Sequence, residues 1–179
     1  MIPRLETERL HMRPWHASDF EAFAAIMADA DVARYLSGTP LSRADAWRSL
    51  AVSVGQWHLR GYGTWAVERK SDGALLGRVG IIHPEGWPGI EVGWTLGKHA
   101  WGNGYATEAA LASIDYAFIT LPLERVISII HPQNVASQNV AARVGETKGE
   151  RIGLEVGGQT YPADIWSIAR PQWEAKRRG

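Results

Sequence analysis

Apolar residues recur at two different periods along the chain, and the change between them separates a largely helical first third from a strand-rich remainder. A strand is predicted at 5–13, where Leu10 and Met12 alternate with polar neighbours before Pro14. Apolar positions then return every three or four residues, which predicts helices at 18–30 and 42–59 and a short helical turn at 31–36. Ser42 should cap the longest helix, and Gly61 should end it.

From Thr64 onward the pattern favours β-strands. Runs rich in β-branched residues occupy 64–68, 74–82 and 90–96, and short turns rich in Gly, Asp or Pro join them. Tight turns join antiparallel neighbours, so these three runs predict a meander.

The 90–96 strand leads through a glycine-rich turn into a helix of small residues, from Tyr105 to about Phe118. A strong strand pattern follows at 124–130, and the helical crossover should place it parallel to the 90–96 strand. A short helix at 135–144 and a closing hairpin of strands at 149–156 and 159–168 complete the predicted order. The charged tail is expected to be solvated.

Composition narrows the class of protein. The 179 residues fit one domain, 1–179 with a core at about 5–173, and equal numbers of basic and acidic residues, 19 each, argue against nucleic acid as a partner. The chain has no cysteine, which excludes disulfides, thiolate metal ligands and a cysteine nucleophile. His83, His99 and His131 lack ligand spacing, so no metal site is predicted. Neither a signal peptide nor an apolar run of about 18 residues is present, so we expect a cytoplasmic protein that does not associate with a membrane.

The segment Gly102–Thr107 (GNGYAT) stands where a strand gives way to a helix, and it is open to three interpretations. The glycines could serve backbone conformation alone. They could form a dinucleotide-binding fingerprint, with Thr107 as a weak third position and Glu124 as the acidic residue further along the chain. That motif, however, belongs to a βα unit of a parallel sheet. Backbone N–H groups at a helix N-terminus could also hold the pyrophosphate of coenzyme A.

Several motifs resemble those of the GNAT superfamily of N-acetyltransferases, and in particular its RimJ/RimL-like branch. Trp101–Ala110 (WGNGYATEAA) is similar to motif A, with His99 where the family places a basic or amide residue. Asn134–Ser137 and Ala141–Gly145 resemble motif B, with Glu146 in place of phenylalanine. Both ends of the chain, LETERLHMRPW and PADIWSIARPQW, resemble that branch as well.

This resemblance implies an α/β (α+β) fold, with a mixed, mostly antiparallel seven-stranded sheet, about four helices and central parallel strands that splay apart. It implies acetyl-CoA as the co-substrate and no metal. The pyrophosphate would contact His99, Trp101, Gly102, Asn103, Gly104, Tyr105, Ala106 and Thr107. The pantetheine arm would contact the strand residues Val92, Trp94, Thr95 and Leu96, together with Asn134 and Ser137. Asn134 fits equally well as a helix N-cap.

Acetyl transfer to an amine requires a base, and Glu91 resembles the glutamate that the branch places at this strand. A solvated carboxylate or an ion-pair partner is the alternative role for Glu91. A backbone N–H near Trp94 or Thr95 would stabilise the thioester oxygen. A general acid can protonate the departing thiolate, and many relatives place a tyrosine for this role at the position of Ala141. Ser137 is the candidate for this role here, and its alternative role is to cap its helix.

The helices of residues 18–60 and the turn at 83–89 should form the acceptor pocket, with Trp57, Tyr62 and Trp87 in its wall. The expected function is direct transfer of an acetyl group to a primary amine, on a peptide N-terminus or a small molecule, in a ternary complex. The alternatives are an acyl-CoA-binding module without activity and a nicotinamide-dependent oxidoreductase. A homodimer is expected from the resemblance alone.

Overall fold

A mixed sheet of eight strands runs through the computed structural model, which describes residues 2–156 and 158–178. The strands are β1 Leu5–Glu6, β2 Leu10–Arg13, β3 Thr64–Arg69, β4 Leu75–Ile82, β5 Glu91–Leu96, β6 Arg125–Ile130, β7 Thr147–Val156 and β8 Gln159–Ala169. Their order across the sheet is β1-β2-β3-β4-β5-β6-β8-β7. The pair β5–β6 is parallel and the other neighbours are antiparallel, as the meander and the helical crossover predicted.

Helices cover both faces of this sheet. They are α1 Phe20–Met27, α2 Ala30–Ala33, α3 Arg43–Arg60, α4 Tyr105–Thr120, α5 Val135–Val144 and α6 Arg170–Arg178. Helices α1 and α3 bury Phe23 and Leu50 against Ala66 and Leu75 of the sheet, whereas α4 packs its small residues on the opposite face, in one cluster with Val92. Small side chains let α4 approach the strands closely, which brings its N-terminus to the end of β5.

The predicted order was wrong at one strand and omitted the last helix. The predicted strand 5–13 is divided, because the chain turns after Glu6 and β1 folds back on β2 with Leu5 opposite Met12; the sheet therefore has eight strands. The tail forms α6, whose Trp173 stacks on Phe118 with ring centroids 5.0 Å apart and donates from Nε1 to Asp115 at 2.6 Å. Lys176, Arg177 and Arg178 are exposed, as expected of the tail. Arg170 is half-buried and donates to the Phe118 carbonyl at 3.0 Å, and Arg177 pairs with Asp115 at 3.0 Å, so both add to the attachment of α6 to α4.

The predicted splay between the central parallel strands is confirmed. Over the described residues, β5 and β6 share one register pair, Glu91 with Ile127, and the Ile127 N–H donates to the Ile90 carbonyl at 3.0 Å. The Gly97 N–H donates to the Leu76 carbonyl of β4, so the backbone N–H and C=O groups of odd-numbered residues in this strand point towards β4. The backbone groups of residues 92, 94 and 96 consequently point to the side where β6 diverges.

Candidate active site

The gap between β5 and β6 opens into a cavity of about 450 Å³. Its walls come from the end of β5, the glycine turn, the first turn of α5 and the segment around α2. The residues predicted to contact coenzyme A that line it are Trp94, Thr95, Leu96, Trp101, Gly102, Gly104, Tyr105, Ala106, Thr107, Asn134 and Ser137. The structure therefore brings three separate segments to one cavity, and their contact with a ligand stays a prediction.

The glycine turn presents the N-terminus of α4 to this cavity. Gly102 and Gly104 have φ of +76° and +80°, a region that side-chain-bearing residues rarely adopt. Gly104 is the N-cap of α4 and offers no capping side chain. The first-turn N–H groups have no acceptor within the helix, so this end of α4 is suited to an anion such as pyrophosphate.

Arg9 and Glu108 hold the glycine turn in place. Arg9 donates from Nη1 to the Asn103 carbonyl at 2.9 Å and from Nε to Glu108 at 2.7 Å, and its guanidinium lies over the Tyr105 ring, 4.6 Å from the centroid. Glu108 also accepts from the Thr7 hydroxyl at 2.6 Å. Sequence patterns did not indicate this contact, because the two residues lie 99 positions apart.

Three residues predicted to contact coenzyme A do not line the cavity. His99 turns its Nε2 towards the Leu75 carbonyl, 3.2 Å away, which places the ring against β4. Asn103 donates to the Trp101 carbonyl at 2.8 Å and so closes the turn on itself. Val92 buries its side chain completely, and its carbonyl accepts from the Ser128 hydroxyl at 2.7 Å.

The start of α5 combines a cap with a cavity-facing hydroxyl. Asn134 accepts from the Ser137 N–H at 3.1 Å, so it is the N-cap and also part of the cavity wall. The Ser137 Oγ accepts from Trp94 Nε1 at 3.2 Å. Because the indole fills an acceptor position of this hydroxyl, the Ser137 proton remains available to another acceptor. Ala141, which stands where many relatives carry tyrosine, is fully buried and does not line the cavity.

Glu91 lies at the point where the two parallel strands separate. The residue is 6% exposed, its Oε2 accepts from Trp87 Nε1 at 2.5 Å, and its Oε1 accepts from the Ile129 N–H at 3.3 Å. Burial raises the pKa of Glu91 to about 7, although these hydrogen bonds and the nearby Arg78 lower it. A solvated carboxylate is therefore the wrong description of this residue.

Glu91 and the cavity approach the gap from opposite faces of the sheet. Side chains alternate along β5, and Val92 packs in the cluster that contains α4. Glu91 therefore faces the side of α1 and α3, as does Arg78, whose Nη1 donates to Ser49 of α3 at 3.0 Å. Glu91 is not part of the cavity wall itself.

The three residues predicted for the acceptor wall occupy different environments. Trp57 is 5% exposed, donates to the Thr64 carbonyl at 3.0 Å and packs on Trp65, so it is a core residue. Tyr62 is also buried, with its hydroxyl 3.4 Å from His83 Nδ1. Trp87 contacts Glu91 directly. Sequence reasoning missed residues near α2 and on α5 that line the cavity, namely Arg34, Tyr35, Asn139 and Arg143.

The described part of the chain holds neither a cluster of three or more potential metal ligands nor a helix long and apolar enough to cross a bilayer. His83 lies near Tyr62, His99 lies on Leu75, and His131 packs against Tyr35 with ring centroids 5.1 Å apart. These three histidines make separate contacts.

Comparison with known proteins gives a consistent family. Residues 9–147 match the model described as acetyltransferase (GNAT) domain. A crystal structure of an acetyltransferase from Agrobacterium tumefaciens is 33% identical, with a TM-score of 0.82 over 95% of this chain and 96% of that one. YoaA of Bacillus subtilis, named an uncharacterized N-acetyltransferase, is 26% identical over 96% of this chain and 99% of its own. RimL, a ribosomal L7/L12 α-N-protein acetyltransferase solved with coenzyme A, shares the fold at 16% identity, with a TM-score of 0.73 over 94% and 97% of the chains.

Proposed function

The chain belongs to the GNAT family of acetyltransferases, and we propose that it moves an acetyl group from acetyl-CoA directly to a primary amine, with Glu91 as the base. One observation carries this proposal: a buried acid stands where β5 and β6 separate, and a cavity lined by the N-terminus of α4 opens from the same gap. The alternative of a nicotinamide enzyme lacks support, because the strand before the glycine turn pairs antiparallel with β4.

The residues present fit coenzyme A. The N–H groups of the first turn of α4 would hold the pyrophosphate, and the backbone of Trp94, which points into the gap, would pair with the amide-bearing arm. When bound, the co-substrate supplies a thioester whose carbonyl carbon an amine can attack. The known complex of RimL with coenzyme A supports this assignment at the level of the fold.

Glu91 would take the proton from the amine. A pKa of about 7 leaves a large ionised fraction at neutral pH, and the ionised group is still basic enough to accept a proton. Its two hydrogen-bond donors, Trp87 and Ile129, fix the carboxylate in place while leaving lone pairs for the acceptor or a bridging water.

Ser137 would supply the proton to the departing thiolate. Its hydroxyl lines the cavity and accepts from Trp94, so its own proton can turn towards the sulfur. A thiolate also leaves without such help, so we expect Ser137→Ala to lower the rate less than substitution of Glu91.

The acceptor is proposed to be a peptide N-terminus or a small primary amine. RimL is named for its action on a ribosomal protein, and this supports the peptide. Steady-state rates with a panel of peptides, amino acids, polyamines and aminoglycosides would identify the class.

The test of the proposed function is Glu91→Gln, with Glu150→Gln as its matched control. Glu150 lies on β7 and is exposed. Loss of a general base should reduce kcat/KM by roughly 10²–10⁴-fold and leave the affinity for acetyl-CoA unchanged, whereas the control should match the wild type. An unchanged rate and pH profile in Glu91→Gln would remove Glu91 from this role. A wild type that binds acetyl-CoA in a thermal-shift assay but acetylates none of the amines would favour the binding module.

A further inference from the structure

Side-chain hydrogen bonds replace the β-ladder where β5 and β6 separate. The Ile127 N–H donates to the Ile90 carbonyl, and a continuous parallel ladder would next place the Ile129 N–H on the Val92 carbonyl. Instead, Ile129 donates to Glu91 at 3.3 Å, and the Val92 carbonyl accepts from the Ser128 hydroxyl at 2.7 Å. The gap is therefore stabilised at its origin by two side chains, one from each strand.

Glu146 stands behind Ser128 and takes part in this arrangement. It follows Gly145, the C-cap of α5, is 3% exposed, and its Oε1 lies 2.9 Å from the Ser128 Oγ. Its other oxygen, Oε2, is buried and has no hydrogen-bond partner among the described residues. A family resemblance predicts phenylalanine here, so the carboxyl group is a feature of this chain that acetyl transfer by Glu91 does not explain.

Counting protons at Ser128 indicates the protonation state of Glu146. A serine hydroxyl has one proton to donate, and the Val92 carbonyl can only accept. The proton of Ser128 must therefore lie on the 2.7 Å contact with Val92. The 2.9 Å contact with Glu146 then requires that Glu146 donates its own proton to the Ser128 oxygen. A neutral carboxylic acid satisfies both contacts, whereas a carboxylate would leave two acceptors competing for one proton.

The charged groups around Glu146 agree with a neutral acid. Burial raises its pKa to about 8, a hydrogen bond donated by Ser128 to the ionised form would lower it, and the negative charge of Glu91 across the gap adds to the rise. From α6, Lys176 reaches Gly145 rather than the carboxyl, and Lys148 of β7 is paired with Asp164 of β8 at 2.8 Å. Neither cation is among the groups that shift this pKa over the described residues.

We propose that Glu146 is a positioning residue that stays protonated at neutral pH, holds Ser128 on the Val92 carbonyl at the origin of the gap, and leaves Glu91 as the ionised acid of the pair. The statement about Glu91 rests on the proposed function, but the protonation of Glu146 does not. When Glu146 loses its proton at higher pH, Ser128 turns to the new carboxylate, the Val92 carbonyl loses its donor, and a second negative charge opposes ionised Glu91.

The first measurement is infrared spectroscopy of the unliganded protein at a pH between the two pKa values. We expect the carbonyl stretching band of a protonated carboxylic acid, strongly reduced in Glu146→Gln and retained in Glu150→Gln, an exposed control on β7. Protonated Glu91 accounts for the remainder of the band. In Glu91→Gln the band of Glu146 should disappear at a lower pH than in the wild type, because a like charge has been removed. A wild type without the band, or a band of equal intensity in Glu146→Gln, would overturn the proposal whatever the protein acetylates.

The second measurement is the pH dependence of kcat/KM. The glutamine in Glu146→Gln can donate to Ser128 but cannot ionise, so we expect the acid limb to stay at its wild-type pH and the alkaline decline to disappear. Glu146→Leu removes the donor as well, and it should raise the KM for acetyl-CoA where Glu146→Gln does not. A shift of the acid limb to lower pH by about one unit or more in Glu146→Gln would show that Glu146 is already charged at neutral pH, which contradicts the proposal.

Discussion

Replacing Glu91 by glutamine should make the protein more stable at alkaline pH while it removes the proposed base. The folded state raises the pKa of Glu91 from 4.5 to about 7, so between these values the native protein binds more protons than the unfolded chain. Stability contributed by this group therefore falls as pH rises from about 4.5 to about 7 and is constant above that. At about 1.4 kcal/mol per unit, the ionised carboxylate costs roughly 3 kcal/mol at pH 8.

Glutamine removes this cost but has one carbonyl oxygen for the two donors, Trp87 and Ile129. A donor left without an acceptor costs about 1 kcal/mol, so the net gain at pH 8 should be about 2 kcal/mol. For a chain of this length, that gain corresponds to a rise in Tm of roughly 4–8 °C. At pH 5 the wild-type carboxyl is protonated when folded, and the variant should gain nothing.

Thermal unfolding of both proteins followed by circular dichroism, in buffers from pH 5 to pH 8, measures this difference. The informative quantity is the change in ΔTm between the two ends of the range, because the lost hydrogen bond contributes at both. Glu150→Gln should show no pH-dependent change. A gain in Tm that is equal at pH 5 and pH 8 would show that packing, and not ionisation, accounts for it. A variant destabilised throughout would refute the buried-charge explanation.

Three further substitutions test the site. Gly102→Ala should cost about 1–2 kcal/mol through its positive φ and weaken acetyl-CoA binding in calorimetry; Gly73→Ala, with φ +71° and equally open space, should cost as much stability but leave binding intact. Arg78→Met should move the acid limb of kcat/KM to higher pH, since Arg78 lowers the pKa of Glu91, and Arg78→Lys should restore it. Arg9→Met should release the glycine turn and raise the Kd for acetyl-CoA several-fold, with normal folding by circular dichroism.

Local patterns were sufficient to predict the strand, the glycine turn and the helix that surround the cavity. Glycine at 102 and 104 reports a backbone conformation that other residues avoid, and the small residues of α4 report close packing. Both signals depend only on residues within a short segment, so they can be recognised in a single sequence. The splay of β5 from β6 came from the family resemblance, since no residue pattern in either strand indicates where a ladder stops.

Side-chain direction was the part that the sequence could not supply. His99 lies three residues before Gly102, yet its Nε2 lies 3.2 Å from the Leu75 carbonyl on the neighbouring strand. Trp57 was expected in a pocket wall, but its indole donates to Thr64 within the core. Both outcomes depend on contacts between distant segments, as does the ion pair of Arg9 with Glu108. Such contacts form only when the sheet brings distant segments together, so the spacing of apolar residues along the chain does not predict them.

The stability cost of two buried acids is concentrated at the place where the sheet opens. Glu91 and Glu146 both have raised pKa values, so each destabilises the native state at alkaline pH relative to an amide. Selection for stability alone would favour a continued ladder with apolar side chains at this junction. Instead, Glu91 accepts from the Ile129 N–H, which the interrupted ladder leaves without a backbone partner. Glu146 holds the Ser128 hydroxyl, which donates to the Val92 carbonyl. The two acids satisfy the backbone groups that an open gap exposes, and this makes the origin of the cavity and the proposed base parts of one hydrogen-bonded structure.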